Sequence, residues 1–108
     1  MPDTPPLNLH DMQAAAARAC ALLKVLGNPH RLMLLCQLTQ GEYCVSELEE
    51  MTGIRQPTLS QQLTVLRDEA MVNTRREGKQ IYYTIASKEA MAVMQVLYEL
   101  YCGEGKAK

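Results

Sequence analysis

The stretch "GIRQPTLSQQLTVLRD", residues 53–68, decides how this chain is read. Taken as a helix from Pro57, it sets Leu59, Leu63 and Leu66 at i, i+4 and i+7, the spacing that buries one stripe against a core. The other side carries Thr58, Ser60, Gln61, Gln62 and Thr64, uncharged donors and acceptors where a solvated helix ordinarily carries Lys and Glu. A merely polar surface helix is the plain alternative, and the flanking segments argue against it.

Upstream, Ser46 and Glu49 have the spacing of a capping box for a short helix that ends near Thr52, and Gly53 turns the chain. Downstream of Met71 the apolar period changes from helical to alternating. "VNTRRE" and "QIYYTI", separated by Gly78 and Lys79, read as a β-hairpin with a basic tip. Helix, turn, helix and hairpin make a winged helix-turn-helix. In that arrangement the second helix enters the DNA major groove, where Gln pairs with adenine and Ser or Thr reaches bases or phosphates. Gln56, Thr58, Ser60 and Gln61 are therefore expected near base edges, with Gln62 and Thr64 nearer the backbone. Arg55, Arg75, Arg76 and Lys79 are expected on phosphates, with the wing tip able to enter the minor groove.

The remainder of the chain supports one small helical domain. At 108 residues it would bury roughly two thirds of its unfolded surface. With no Trp, no Phe and five Tyr, Leu, Ala, Val and Met must fill the core. Pro-rich residues 1–9 read as a loose arm. A first helix is expected from His10 to Leu26, then a second one capped by Asn28, started by Pro29 and running towards Gly41. Ser87 caps a fifth helix that Gly103 closes, and residues 103–108 form a tail. The fifth helix has a wide apolar arc of Ala90, Met91, Val93, Met94, Val96, Leu97, Leu100 and Tyr101. The first and fifth helices are accordingly expected to form a homodimer interface, packing within one protomer being the alternative. The expected fold class is mainly α with a small β-hairpin: five helices and a two-stranded wing within residues 10–102.

Charge is informative only when divided. Residues 1–52 carry three basic and six acidic side chains, residues 53–86 five and three, and residues 87–108 three and three. The basic third holds the helix in question, although a randomly mixed surface accounts for so small a split equally well. No apolar run is long enough to span a membrane, and the N-terminus lacks a signal pattern, so a cytoplasmic location is expected. There the four cysteines, Cys20, Cys36, Cys44 and Cys102, are read as thiols, ligands or redox sensors and not as permanent crosslinks.

"NPHRLMLLCQL", "SELEEMTGIRQPTLSQQLTVLRDEAMV" and "RREGKQIYYTI" together resemble the ArsR-type winged-helix repressors over about residues 14 to 102. Within that family the chain is most similar to the sulfide- and persulfide-responsive branch containing BigR, SqrR, YgaV and HlyU. The resemblance implies a homodimer on an imperfect inverted repeat in a promoter. It also implies that Cys36 and Cys102 occupy the two thiol positions of that branch, so that reactive sulfur species or oxidants close a disulfide or polysulfide bridge and lower operator affinity. From spacing alone Cys36 is a small buried hydrophobe, and neither thiol has a basic neighbour in sequence.

The family's metal sites look absent. "EYCVSEL" keeps Cys44 but has Ser46 where arsenic and cadmium sensors carry a second cysteine, and the fifth helix has no His. His10 and His30 read as surface or capping residues, so no metal and no cofactor are expected. Cys20, one turn before Lys24, matches no family position. Rival readings remain a metalloid sensor using Cys44 and a constitutive regulator or anti-repressor without a redox switch. A thiol enzyme would need a Cys beside a general base, and no His-Cys pairing, CxxC or Gly-rich phosphate loop is present. A protein-interaction module would not need the basic wing.

Overall fold

The computed structural model describes residues 6–103. Residues 1–5 of the expected arm and 104–108 of the expected tail lie outside the described residues. The order is α1 (Leu9–Leu26), α2 (Pro29–Leu38), β1 (Tyr43–Cys44), α3 (Val45–Thr52), α4 (Thr58–Asp68), β2 (Val72–Glu77), β3 (Gln80–Ile85) and α5 (Lys88–Tyr98). A π-helical turn, Glu99–Gly103, continues α5.

Local chemistry sets most of these boundaries. Asn28 Oδ1 accepts from the backbone N–H groups of His30 and Arg31 at 2.9 and 3.1 Å, and Pro29 supplies a first helical residue that needs no N–H partner. Gly53 ends α3 at φ +76°, a left-handed conformation that favours glycine, and sends the chain into α4. Ser87 Oγ accepts from Ala90 N–H at 3.0 Å to start α5.

α2 is the centre of the domain, as its nearly all-apolar sequence implies. Leu34, Leu35 and Leu38 are buried and meet Leu48 of α3, Leu59, Leu63 and Leu66 of α4, Val72 and Tyr83 of the sheet, and Met94 of α5. The 59, 63, 66 stripe thus pins α4 to the core and leaves its opposite face outward.

Three expectations are corrected. The sheet has three strands in the order β1-β3-β2, since Tyr43 and Cys44 pair with Tyr83 and Tyr82 beside the hairpin. The capping box of α3 is not Ser46 with Glu49: pairing to β3 holds Cys44 extended at the N-cap, and Glu47 Oε1 accepts from its N–H at 2.9 Å. The last turn of α5 does not stay α-helical, the π-helical turn carrying Glu99 through Gly103.

Candidate nucleic-acid interface

α4 begins with Pro57 at the N-cap and turns its polar side outward. Ser60, Gln61 and Thr64 are exposed, Thr58 and Gln62 half-buried. At 100° per residue Gln61 stands opposite the Leu59, Leu63 and Leu66 stripe. These side chains are not chemically equivalent, because the fold already uses several of them.

Gln56 Oε1 accepts from Ser60 N–H at 3.0 Å and thereby caps the start of α4. Thr64 Oγ1 donates to the Ser60 carbonyl at 2.9 Å, so its proton is spent within the helix. Gln62 Oε1 accepts from Arg31 Nη1 at 2.9 Å, which leaves its NH₂ group as the uncommitted donor. An adenine edge needs an acceptor and a donor from one amide, a requirement that Gln61 meets with no internal bond and that Gln56 and Gln62 meet only by giving theirs up.

The wing separates its two arginines, because successive residues of a strand point to opposite faces. Arg75 lies opposite Tyr82 in the β2-β3 register, and Tyr82 lies opposite Cys44 of β1. Its guanidinium passes 4.8 Å over the Tyr82 ring to reach Glu42, which it holds through Nε and Nη2 at 2.8 and 2.9 Å, and Nη1 pairs with Glu77. The hydrogen bonds from Arg75 hold the Glu42 carboxyl below its ordinary value, and donating to Glu42 and then to Glu77 raises Arg75 further above its own. Arg75 is expected on phosphate; in the free protein its guanidinium is engaged with Glu42 and Glu77.

Arg76 and Lys79 are exposed at the wing tip, Arg76 Nη1 reaching the Gly78 carbonyl at 3.5 Å. Arg55 is also exposed, with a loose 3.9 Å approach to Glu49 that contributes little in solvent. These three cations keep their charge exposed.

The thiols occupy a different region. All four cysteines are unbridged: Cys20 and Cys102 exposed, Cys36 half-buried and Cys44 buried with its Sγ 3.3 Å from Ser46 Oγ. Cys36 lines a groove of about 660 Å³ between α2 and α5, with Met33, Met91, Met94, Tyr98 and Glu99 among the other walls. Cys102 sits past that wall in the π-helical turn, a kind of winding that concentrates at functional sites. Among the described residues no three His, Cys, Asp or Glu side chains gather as a metal site, and no helix is long and apolar enough to cross a membrane.

The sequence reading missed two contributors. Glu42 carries no local signal, since its partner is 33 residues away. Arg31 does carry one, a cation in the first turn of α2, where the helix dipole disfavours it. The structure resolves the oddity: Nε and Nη2 donate to the Val25 and Lys24 carbonyls at the C-terminus of α1, at 2.8 and 3.3 Å.

A helix-turn-helix with an outward amide and hydroxyl face, followed by a cationic β-wing, defines a DNA-binding regulator. Residues 28–74 match the model of the bacterial regulatory protein, arsR family. The chain is 52% identical over 91 residues to the biofilm growth-associated repressor of Agrobacterium fabrum, covering 84% of this chain and 78% of that one. Its fold matches the crystal structure of the transcriptional repressor BigR from Xylella fastidiosa with a TM-score of 0.86 and 47% identity, over 89% of this chain and 98% of that one. Reduced HlyU from Vibrio cholerae matches with a TM-score of 0.80 and 40% identity, over 85% and 97% of the two chains. The chain belongs to the ArsR family of transcriptional regulators, whose members are DNA-binding proteins and not enzymes.

Proposed function

We propose that this chain is a homodimeric repressor that reads an inverted repeat through α4 and releases it when Cys36 and Cys102 become bridged. The observation that carries the DNA reading is the polar face of α4, held outward by three buried leucines, in a chain that also exposes Arg55, Arg76 and Lys79. Gln61, Ser60 and Thr58 meet base edges, Gln56 holds the start of the helix next to them, and Gln62 and Thr64 lie towards the backbone. Arg55, Arg76 and Lys79 neutralise phosphates, while Arg75 keeps the wing in register.

Dimerisation is supported by apolar surface that one protomer leaves open. Leu9 and Leu23 of α1 are 71% and 61% exposed, and Leu100 and Tyr101 beyond α5 are 68% and 78% exposed. A second copy covers such a surface in a closed two-fold assembly.

The thiol reading rests on the groove that exposes one side of Cys36 and on the family position of Cys102. The relative with a reduced form, HlyU, is consistent with thiol chemistry in this branch. A persulfide R–S–SH transfers its outer sulfur to Cys36 and leaves as R–SH; the Cys102 thiol then attacks Cys36 Sγ, forms a disulfide and releases hydrogen sulfide. Bridging ties α2 to the end of α5 and favours a dimer geometry that does not fit the operator. A bias of about 2.7 kcal/mol towards that geometry weakens binding about a hundredfold.

Fluorescence anisotropy of the reduced protein on its own upstream DNA, against a scrambled duplex of equal length, tests the DNA reading. Binding at least a thousandfold tighter to the upstream sequence is expected at physiological salt. Equal binding to both duplexes rejects sequence-specific recognition.

A further inference from the structure

Arg31 lies outside the recognition helix and outside the wing, yet its guanidinium spans two elements, α1 and α4. Three of its nitrogens are engaged: Nε with Val25 O at 2.8 Å, Nη2 with Lys24 O at 3.3 Å and Nη1 with Gln62 Oε1 at 2.9 Å. The first satisfies the Val25 carbonyl, which the last turn of α1 leaves without a helical partner, the second joins Gly27 N–H on the Lys24 carbonyl, and both place a cation at the negative end of that helix dipole. The third fixes a half-buried side chain of α4 from a residue 31 positions earlier. Arg31 is itself anchored, since its backbone N–H is one of the two that Asn28 caps at the start of α2.

We infer that Arg31 is a positioning residue for DNA binding: it holds the Gln62 amide with its oxygen inward, so that the NH₂ group is presented to a DNA phosphate, and it ties that group to the end of α1. Geometry and donor arithmetic carry the assignment. An unconstrained Gln presents oxygen or nitrogen by flipping its amide, and the oxygen would face a phosphate with a lone pair against an anion. An Arg has donors and no acceptor, so Gln62 can bond it only through oxygen. The amide polarity is thereby set before DNA arrives, and no side-chain ordering is left to be done on binding. Lysine cannot substitute, because one ammonium does not reproduce a fork that reaches two carbonyls and an amide at once.

This inference rests on the proposal that α4 binds DNA, and the tests separate the two. Gln62→Met removes the amide while leaving the Arg31 bonds to α1 intact, and Arg31→Gln removes the fork. Each is expected to weaken binding to the upstream DNA and to a scrambled duplex by a similar factor, about tenfold for the two symmetric sites of a dimer. The double variant is expected to bind no more weakly than Gln62→Met alone. The salt dependence separates this role from a direct phosphate contact: the slope of log affinity against log salt stays at the wild-type value in all three variants. If Arg31 neutralised a phosphate directly, Arg31→Gln would shallow that slope by about 0.9 per phosphate, and the inference would be wrong. Additive losses in the double variant would also overturn it. Failure of the wild type to prefer its upstream DNA would instead reject the DNA reading.

Discussion

Glu42 receives two hydrogen bonds from Arg75, at 2.8 and 2.9 Å, and so joins the residue before β1 to the middle of β2 across the face of Tyr82. The Arg75 hydrogen bonds hold the Glu42 carboxyl below its ordinary 4.5. A carboxyl with a depressed folded value stabilises the fold at pH above its unfolded value and loses that contribution as pH falls through the folded one. Wild type is therefore expected to exceed Glu42→Gln in thermal stability at neutral pH, with the gap closing as pH drops below about 4.5. Thermal melts of both proteins from about pH 7 to about pH 3 check this; a gap independent of pH would show that the charge on Glu42 is not what holds Arg75.

The outward amides of α4 differ in what the fold leaves them. Gln61→Ala is expected to cost about 1–3 kcal/mol at one operator position and to relax the base preference there. Gln56→Ala is expected to act on α4 itself, lowering stability by about 1 kcal/mol through removal of the cap on Ser60 N–H. Binding titrations on a panel of single-base operator variants, paired with denaturant melts, distinguish these effects. Loss of base preference with Gln56→Ala and none with Gln61→Ala would reverse the assignment.

Burial of the α4 stripe makes recognition and stability inseparable at some positions. Leu66 has no exposed surface, and Leu66→Ala is expected to cost about 2–5 kcal/mol of folding stability from the apolar burial removed and the cavity left behind. Urea denaturation followed by circular dichroism measures it. A loss under about 1 kcal/mol would mean that the core collapses around the missing side chain.

The exposed apolar residues of the terminal helix predict an assembly. Leu100→Glu, at a site 68% exposed in the single protomer, is expected to leave the fold intact and convert a dimer to monomers. Sedimentation velocity at micromolar concentration gives the answer directly. A wild-type protein that sediments as a monomer, or a variant that remains dimeric, would move the interface elsewhere.

Local chemistry made much of this fold readable from sequence. Asn28 and Pro29, the Gly53 turn, the Gly78 and Lys79 hairpin and the Ser87 cap all act within three or four residues, and all appear where expected. β1 escaped notice because two residues are too short for any period to show, and its pairing to β3 is what displaced the α3 capping box to Cys44 and Glu47. The composition of the α4 face was legible, whereas its chemistry was not. Whether Gln56, Gln62 and Arg75 have free valences depends on Ser60, Arg31 and Glu42, and two of those three partners lie more than thirty residues away. Arg31 was the exception that left a trace, as a cation on the wrong end of a helix.

The most direct test of the account is the affinity of the reduced protein for its upstream DNA before and after treatment with glutathione persulfide, with Cys36→Ser and Cys102→Ser in parallel and arsenite and zinc as separate additions. Wild type is expected to lose about a hundredfold in affinity with persulfide alone, and both variants to bind DNA normally and ignore the reagent. Unchanged wild-type affinity after persulfide, or equal loss in the two serine variants, would contradict the dithiol switch.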